Sequence, residues 1–218
     1  MCFSATASFA AGAVLVTTGI LAIRKVKKPS QYAVAAIPFI FGIQQISEGF
    51  VWISLQHPAY LTWHMPATYF FLAFAQVVWP AWVPFSFLLM EKEKRHRNIL
   101  FGLMGLGLLV SVYLAVRIVT TGSVNSYIDG MHISYDLGIE VPLVRMLGIL
   151  YFVVTVIPSF FSTKRHMWIL GVLTLTSYFV TKLFFENYVI SVWCFFAALI
   201  SVAVFFVITE PEKQVNAA

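Results

Sequence analysis

Residues 32–55 read YAVAAIPFIFGIQQISEGFVWISL, an apolar run in which Glu48 is the one charged residue. A helix rises 1.5 Å per residue, so a run of this length crosses the hydrocarbon core of a bilayer, which is about 30 Å thick. In hydrocarbon the backbone of a helix satisfies its own hydrogen bonds, whereas a barrel strand would show alternating apolar and polar residues. The run is therefore predicted to be a membrane-spanning helix.

Runs of the same kind recur along the whole chain of 218 residues. The composition is 60% hydrophobic and 11% charged, and the mean hydropathy is +0.87, far from the average of a soluble protein. We predict an all-α polytopic membrane protein, a single domain of residues 1–218 folded as a seven-transmembrane-helix bundle. The predicted spans are 5–23, 32–55, 66–90, 99–119, 141–161, 166–184 and 187–208.

The basic residues predict the orientation of this bundle. Cytoplasmic connections of membrane proteins carry an excess of lysine and arginine. With seven spans, all the basic connections fall on one side, which predicts the N-terminus outside, the C-terminus in the cytoplasm and a location in the cell's inner (plasma) membrane. No cleavable signal peptide is expected, because the first basic cluster follows the first apolar run. Eleven of the fourteen basic residues lie on that side: Arg24, Lys25, Lys27, Lys28, Lys92, Lys94, Arg95, Arg97, Lys164, Arg165 and Lys213.

Charge and cysteine usage narrow the classes of partner. The net charge of +5 is spread over short connections, so it is interpreted as a topology signal, and no nucleic-acid partner is expected. Cys2 and Cys194 have no CxxC or Cys/His spacing, which excludes a disulfide framework and a zinc-finger site. The expected partner is the lipid bilayer, no cofactor or metal motif is present, and the sequence does not indicate an oligomeric state.

Two connections stand out by their composition. The loop from about residue 120 to 140 has glycine and asparagine as turn signals, is acidic, and could fold over the bundle as a lid. The charged run of residues 91–97 is interpreted as a solvated connection without chemistry of its own.

One face of the second span is polar. At 100° per residue, Gln44, Gln45, Glu48 and Trp52 fall with Phe41 within an arc of roughly 100°. Glu48 would lie about 10 Å below the outer boundary at 1.5 Å per residue. A charged side chain at that depth costs at least a few kcal/mol, so such a residue normally faces the bundle interior and has a partner.

Three cations are predicted at the level of Glu48: Arg117 ends the fourth span, Arg145 begins the fifth and Lys182 lies near the end of the sixth. Their convergence with Glu48 would form a polar pocket that opens outward. Alternatively, long basic side chains near helix ends extend to the headgroups, and glutamines join helices by hydrogen bonds. The candidate ligand-binding residues are Gln44, Gln45, Glu48, Trp52, Gln76, Arg117, Arg145, Tyr178 and Lys182.

Three classes of function fit these residues, and the leading hypothesis is a protein that binds or transports a small polar or anionic ligand in this pocket. The first alternative is an intramembrane enzyme, a lipid or amphiphile hydrolase that uses Glu48 as acid or base, with catalytic residues otherwise unknown. Its variants add Cys2 as a nucleophile or a metal at the outer face. The second alternative is a structural or partner-binding membrane subunit. The candidate metal ligands are His57, His64, His132, Asp129 and Asp136.

Three strings carry a resemblance along the whole chain: MCFSATASF at residues 1–9, FGIQQISEGFVW at 41–52 and SVWCFFAA at 191–198. They resemble an uncharacterised family of bacterial multi-pass membrane proteins. The resemblance implies a common seven-helix fold and brings no established activity. Two better-known seven-helix groups fit less well. Retinal proteins have a lysine in span 7, which this chain lacks there, and hydrolases of the ceramidase and adiponectin-receptor type have paired histidines in span 7, which are also missing.

Overall fold

The computed structural model of the protein describes residues 4–120, 122, 124–164 and 166–209, with only the backbone of Val141. Cys2, Arg165 and Lys213, which the sequence analysis used, lie outside these residues. Within them, seven helical segments are long and apolar enough to cross a membrane, so the predicted seven apolar helices are confirmed. The segments are Ala5–Arg24, Pro29–Gln56, Pro58–Met90, Lys94–Thr120, Pro142–Phe161, Met167–Phe184 and Glu186–Thr209.

The seven segments contain nine α-helices among the described residues, because a turn at Ala36 divides the second segment and a π segment, Ala73–Val78, divides the third. The 3₁₀ turns are Pro29–Gln31, Pro58–Trp63, Ile157–Phe161 and Glu186–Tyr188. The helices are α1 Ala5–Arg24, α2 Tyr32–Ala35, α3 Ile37–Gln56, α4 His64–Leu72, α5 Trp79–Met90, α6 Lys94–Thr120, α7 Val141–Val156, α8 Met167–Phe184 and α9 Val189–Thr209.

Helices α1 and α3 pack closely through glycines. A Cβ added to Gly12 would come within 2.7 Å of Ile46, and one added to Gly42 would come within 2.7 Å of Val16. Neither position has room for a side chain. Small residues at such contacts allow two helix backbones to approach closely, which favours helix association in lipid. The pair α1 and α3 therefore forms a tightly packed part of the bundle.

The third span changes its hydrogen-bonding pattern just before Pro80, where Ala73–Val78 is a π-helical segment between α4 and α5. Proline has no amide proton and its ring clashes with the carbonyl four residues earlier, so it disturbs a regular helix. Two carbonyls of this segment accept bonds from neighbouring helices: Tyr151 Oη donates to Ala75 O at 2.6 Å and Ser111 Oγ to Val77 O at 2.7 Å. These bonds join the third span to α7 and α6.

The loop between α6 and α7 contains a two-stranded antiparallel sheet, which an all-α prediction did not include. Strand β1, Asn125–Asp129, pairs with β2, His132–Asp136, in a register that sets Asp129 opposite His132. The turn between them is Gly130-Met131, and Gly130 has φ of +60°. A glycine with positive φ at the first turn position is typical of a tight β-hairpin. The glycine was recognised as a turn signal, but the strands were missed.

The hairpin lies over one end of the bundle, called here the hairpin end. Ile133 is fully buried, and Tyr135 stacks on Phe71 of α4 with ring centroids 4.7 Å apart. Both belong to a hydrophobic cluster that also contains Trp52. The α6–α7 connection is thus packed on the helices.

At the opposite end of the bundle, Glu91 joins two connections. Its carboxylate accepts hydrogen bonds from the backbone N–H groups of Lys92 and Glu93, and from the N–H and hydroxyl of Thr163, at distances of 2.7 to 3.0 Å. The residue is only 2% exposed. The interpretation of residues 91–97 as a solvated connection is therefore wrong for Glu91. Thr163 lies 72 residues further along the chain, so sequence patterns gave no sign of this contact.

We predict that the Glu91 contact makes stability depend on pH. Burial raises the pKa of this carboxyl, but the hydrogen bonds it accepts lower the pKa by more, so the folded-state value lies below the ordinary 4.5. A lowered folded-state pKa adds stability above the ordinary pKa, and this stability is lost as the pH falls through the folded-state value. Glu91→Gln should reduce the free energy of unfolding at pH 7 by about 1.5 to 3 kcal/mol.

The measurement is thermal unfolding of purified protein in detergent from pH 7 to pH 3. The difference between the native protein and Glu91→Gln should shrink as the pH falls below 4.5. Glu93→Gln is the matched control, because Glu93 is exposed two residues away. Equal stability of native protein and Glu91→Gln at pH 7 would contradict the prediction.

Candidate functional site

The polar face of α3 points into the protein. Gln44, Gln45 and Glu48 are fully buried, and Trp52 is 2% exposed. Trp79 of α5 donates its Nε1 hydrogen to Gln44 Oε1 at 2.6 Å, and the Trp79 ring stacks on Phe41. The structure therefore places the carboxyl group of Glu48 in the interior, eight residues before the last residue of α3.

Helix α9 supplies the neighbours of this face. Ser191 Oγ donates a hydrogen bond of 2.6 Å to Glu48 Oε1. One turn along α9, the buried Cys194 lies beside the side chain of Gln44. Sequence reasoning missed Ser191. The available signal was the three-residue spacing of Ser191 and Cys194, which puts two small polar side chains on one face of span 7.

Gln45 differs from Gln44 in its hydrogen bonding. Its amide nitrogen and oxygen are both buried, and neither has a hydrogen-bond partner in the described part of the chain. A buried polar group without a partner costs about 1 to 3 kcal/mol. Helix association by hydrogen bonding thus accounts for the side-chain oxygen of Gln44, but for neither polar atom of Gln45.

A large cavity lies beside α9 at the hairpin end. Its volume is about 710 Å³, and it is lined by β2, the π segment and the facing parts of α6, α7, α8 and α9. Most of the wall is apolar or aromatic. The residues with polar side chains that line it include Gln76, Arg145, Tyr178, Lys182, Glu186, Asn187, Tyr188 and Ser191.

Three aromatic residues that line this cavity, Tyr151, Tyr178 and Trp193, form what we call its aromatic floor. The Trp193 ring centroid lies 5.7 Å from that of Tyr151 and 5.1 Å from that of Tyr178, and Phe152 lies 4.5 Å from Tyr178. Tyr151 and Trp193, together with Cys194, also line a second, apolar cavity of about 90 Å³. The floor therefore stands between the large cavity and a small one deeper in the bundle.

The structure separates the nine candidate residues into groups. Gln76, Arg145, Tyr178 and Lys182 line the large cavity. Arg117 is not part of the lining and donates to the carbonyl oxygen of Gly138 at 3.1 Å. The group formed by Gln44, Gln45, Glu48 and Trp52 also lies outside the lining, and it is connected with the cavity through Ser191 and Cys194.

The two cations of the cavity differ in their surroundings. Lys182 forms an ion pair with Glu186 one turn further on, and both side chains are exposed. Arg145 is exposed at the beginning of α7 and lines the cavity from the other side. The cavity is therefore bordered by two positive charges and one negative charge at the hairpin end.

Hydrogen bonds attach the hairpin at two places. Ser126 of β1 bonds to Thr68 at 2.8 Å and to Nε2 of His64 at 3.4 Å. On the other side, Tyr188 donates to Asp129 Oδ2 at 2.7 Å. The His132 ring also stacks on Tyr188 at 4.6 Å. The hairpin thus connects α4 with the beginning of the seventh span, beside the cavity.

The proposed metal ligands do not come together. Over residues 4–120, 122, 124–164 and 166–209 there is no group of three or more histidine, cysteine, aspartate or glutamate side chains that could hold a metal ion. His64 instead bonds to Ser54 and Ser126, and His132 stacks on Tyr188. The outer-face metal considered from the sequence therefore does not fit this arrangement. The variant with Cys2 as nucleophile falls outside the described residues.

Comparison with protein families gives one match. The model of a family described as "Family of unknown function (DUF6629)" matches residues 1–218. The chain belongs to this family. The expectation of an uncharacterised family is confirmed over the full length, and the bacterial origin implied by the resemblance stays an expectation. No curated protein and no solved structure matches the chain.

We predict that Ser126 holds the hairpin in place. Ser126→Ala removes the bonds to Thr68 and His64, which together are worth about 2 kcal/mol at about 1 kcal/mol each, so backbone amides of residues 125–136 should exchange roughly thirtyfold faster. Hydrogen–deuterium exchange followed by mass spectrometry measures this. Ser134→Ala, a half-buried position on the paired strand, is the matched control. Equal exchange in the two variants would show that these bonds do not hold the hairpin.

Proposed function

We propose that the protein is a multi-pass protein of the cell's inner (plasma) membrane, with its N-terminus outside and its C-terminus in the cytoplasm. Seven helices of sufficient length and apolar character support this. Basic residues concentrate at the end opposite the hairpin, as expected of a cytoplasmic side. They are Arg24, Lys25, Lys27, Lys28, Lys92, Lys94, Arg95, Arg97 and Lys164. In this orientation the hairpin and the large cavity face outward.

The proposed activity is binding or transport of a small polar or anionic ligand in the large cavity. The observation that carries the proposal is the cavity itself, about 710 Å³ with mostly apolar walls and a few polar groups. Sites for small molecules have volumes of about 300 to 1,000 Å³ and this kind of lining.

The charges at the rim favour an anion. Arg145 and Lys182 contribute two positive charges and Glu186 one negative charge, which leaves the rim with a net charge of +1. An arginine can bind a carboxylate or phosphate through two parallel hydrogen bonds. Deeper in the cavity, Gln76 offers a neutral amide that can orient a polar group of the ligand.

The polar face of α3 would act on the ligand indirectly. Glu48 accepts the hydroxyl hydrogen of Ser191, a fully buried residue that belongs to the cavity lining, so it fixes the position of this side chain in the wall. Substituting Glu48 would change binding through this hydroxyl, since Glu48 is not part of the lining.

Transport would require more than binding. A ligand that crosses the bundle has to pass the aromatic floor, where Tyr151 is held by its bond to the Ala75 carbonyl. Binding requires the cavity alone. A transport mechanism therefore implies displacement of Tyr151 and Trp193, whereas a receptor or binding protein does not.

We predict that the cavity binds anions through Arg145. Two probes are added to protein in dodecyl maltoside: glycerol 3-phosphate, a free anion, and dihexanoyl phosphatidic acid, an anionic amphiphile. At about 100 times its Kd a ligand adds about 2.7 kcal/mol of stability, which thermal unfolding detects. Arg145→Gln should weaken binding of the active probe at least about tenfold, because a charged hydrogen-bond partner is lost.

Arg95→Gln is the matched control, because it removes the same charge at the opposite end of the bundle. It should leave the affinity unchanged. Absence of stabilisation by both probes in the native protein would overturn the proposed function. Equal loss of affinity in the two variants would remove the role of Arg145.

The hydrolase alternative is favoured by one specific observation, the bond from Ser191 to Glu48 at 2.6 Å. A serine hydroxyl that donates to a carboxylate resembles a nucleophile and its base. In such a reaction the Ser191 oxygen would attack an ester carbonyl, Glu48 would accept the hydroxyl proton, and the alcohol would leave with that proton. Ser191 belongs to the lining residues of the cavity but is fully buried, so an ester bound there would reach its hydroxyl only after a local rearrangement of the wall.

For the hydrolase we predict covalent labelling of Ser191 by a fluorophosphonate, with loss of fluoride. Intact-mass spectrometry should detect one adduct, which Ser191→Ala and Glu48→Gln both abolish. Ser201→Ala is the matched control, because Ser201 lies on the same helix and bonds to the carbonyl of Ala198. Absence of an adduct on the native protein would argue against the hydrolase and leave the binding function untouched.

A further inference from the structure

The side of α7 that faces α8 is exposed beside the cavity. Leu143, Leu147 and Leu150 belong to a cluster with residues of α6, so they mark the side of α7 that packs on α6. At 100° per residue, Arg145, Gly148, Ile149 and Phe152 fall on roughly the opposite side. Phe152 contacts Tyr178, which identifies this side as the one facing α8.

Above that contact, α7 and α8 leave a gap. Arg145, Gly148 and Ile149 all line the cavity and yet are exposed, Ile149 by 58%. A Cβ added to Gly148 would meet no atom within 4 Å. When residues face a neighbouring helix, line a cavity and are still exposed, they lie at the edge of an opening. The large cavity therefore opens sideways between the two helices.

Charge and apolar surface are arranged in order along this gap. Arg145 on α7 and Lys182 on α8 border its end nearest the hairpin. The gap then runs toward the contact of Phe152 with Tyr178, seven residues or about 10 Å along α7. Gly148 and Ile149 form its apolar middle. In the proposed orientation, the cations lie at the level of the headgroups and the apolar part lies among the lipid chains.

We infer that the ligand is an anionic amphiphile of the outer leaflet, whose phosphate or carboxylate binds between Arg145 and Lys182. Its apolar chain leaves the cavity through the gap beside Gly148. This inference rests on the proposed function and names its class of ligand. A membrane lipid in the outer leaflet already has this orientation, with its charge outward and its chains toward the midplane.

The walls favour an amphiphile over a free anion of the same headgroup. A hydrated anion is attracted by the positive charges at the rim, but Glu186 weakens that attraction through its ion pair with Lys182. An amphiphile gains in addition the burial of its chain against Ile149 and the aromatic floor, and burial of apolar area is the main favourable term in binding. It also reaches the site by lateral diffusion.

The test compares three probes on purified protein in dodecyl maltoside by isothermal titration calorimetry: dihexanoyl phosphatidic acid, glycerol 3-phosphate and dihexanoyl phosphatidylcholine. Phosphatidic acid should bind at least about tenfold more tightly than either of the other two. Gly148→Phe places a ring in the gap and should weaken phosphatidic acid binding at least about tenfold.

Gly105→Phe is the matched control. Gly105 is an exposed glycine on α6 with no atom within 4 Å of an added Cβ, so both variants gain the same ring on an open helix surface. Thermal unfolding verifies that both variants are folded, and Gly148→Ala provides a smaller change at the gap if Gly148→Phe fails to fold. Gly105→Phe should bind phosphatidic acid as the native protein does.

Each further outcome separates the inference from the function on which it rests. Binding of glycerol 3-phosphate as tight as that of phosphatidic acid would overturn the inference and leave the function intact. Equal binding of phosphatidylcholine would remove the requirement for a net anion and so would also overturn it. If Gly148→Phe leaves the affinity for phosphatidic acid unchanged, this result would contradict the entry of the chain through the gap. Failure of all three probes would remove the proposed function itself.

Discussion

Several contacts between the helices depend on paired buried polar groups, because an unpaired polar group in an apolar interior is costly. Glu48 accepts from Ser191, Gln44 accepts from Trp79, and the carbonyl of Ala75 accepts from Tyr151. Together these bonds join α3 to α9, α3 to α5 and the π segment to α7. Ser191, Ala75 and Tyr151 also line the large cavity, so two of the three bonds serve both the packing of the helices and the wall of the candidate site.

Features that are local along the chain could be predicted from sequence. Seven apolar runs became seven helical segments, and the helical period of residues 41–52 predicted the buried face that carries Gln44 and Glu48. The third segment begins at Pro58, eight residues before the predicted start, because its 3₁₀ turn is less apolar than the helix. Hydrophobic length and helical period follow from neighbouring residues, and that is why these predictions succeed.

Features that join distant residues could not be predicted. Ser191 and Glu48 are 143 residues apart, and the bond depends on which way α9 is rotated against α3. The rotation of each helix about its axis also determines where its basic side chain points. Arg145 faces the cavity, whereas Arg117 turns to the carbonyl of Gly138. The hairpin strands are short and mostly polar, so their sequence carries no strong periodic signal, and their order comes from packing on the bundle.

The distribution of close and open packing indicates where the bundle can change on binding. Helices α1 and α3 meet through glycines that leave no room for a Cβ, so relative movement there would open voids or produce clashes. Helices α7 and α8 meet at Phe152 and Tyr178 and are separated above that contact. A ligand that enters beside Gly148 would therefore act on α7 and α8. Because Tyr178 also contacts Trp193, displacement of α8 would move the aromatic floor, which the proposed transport would have to open.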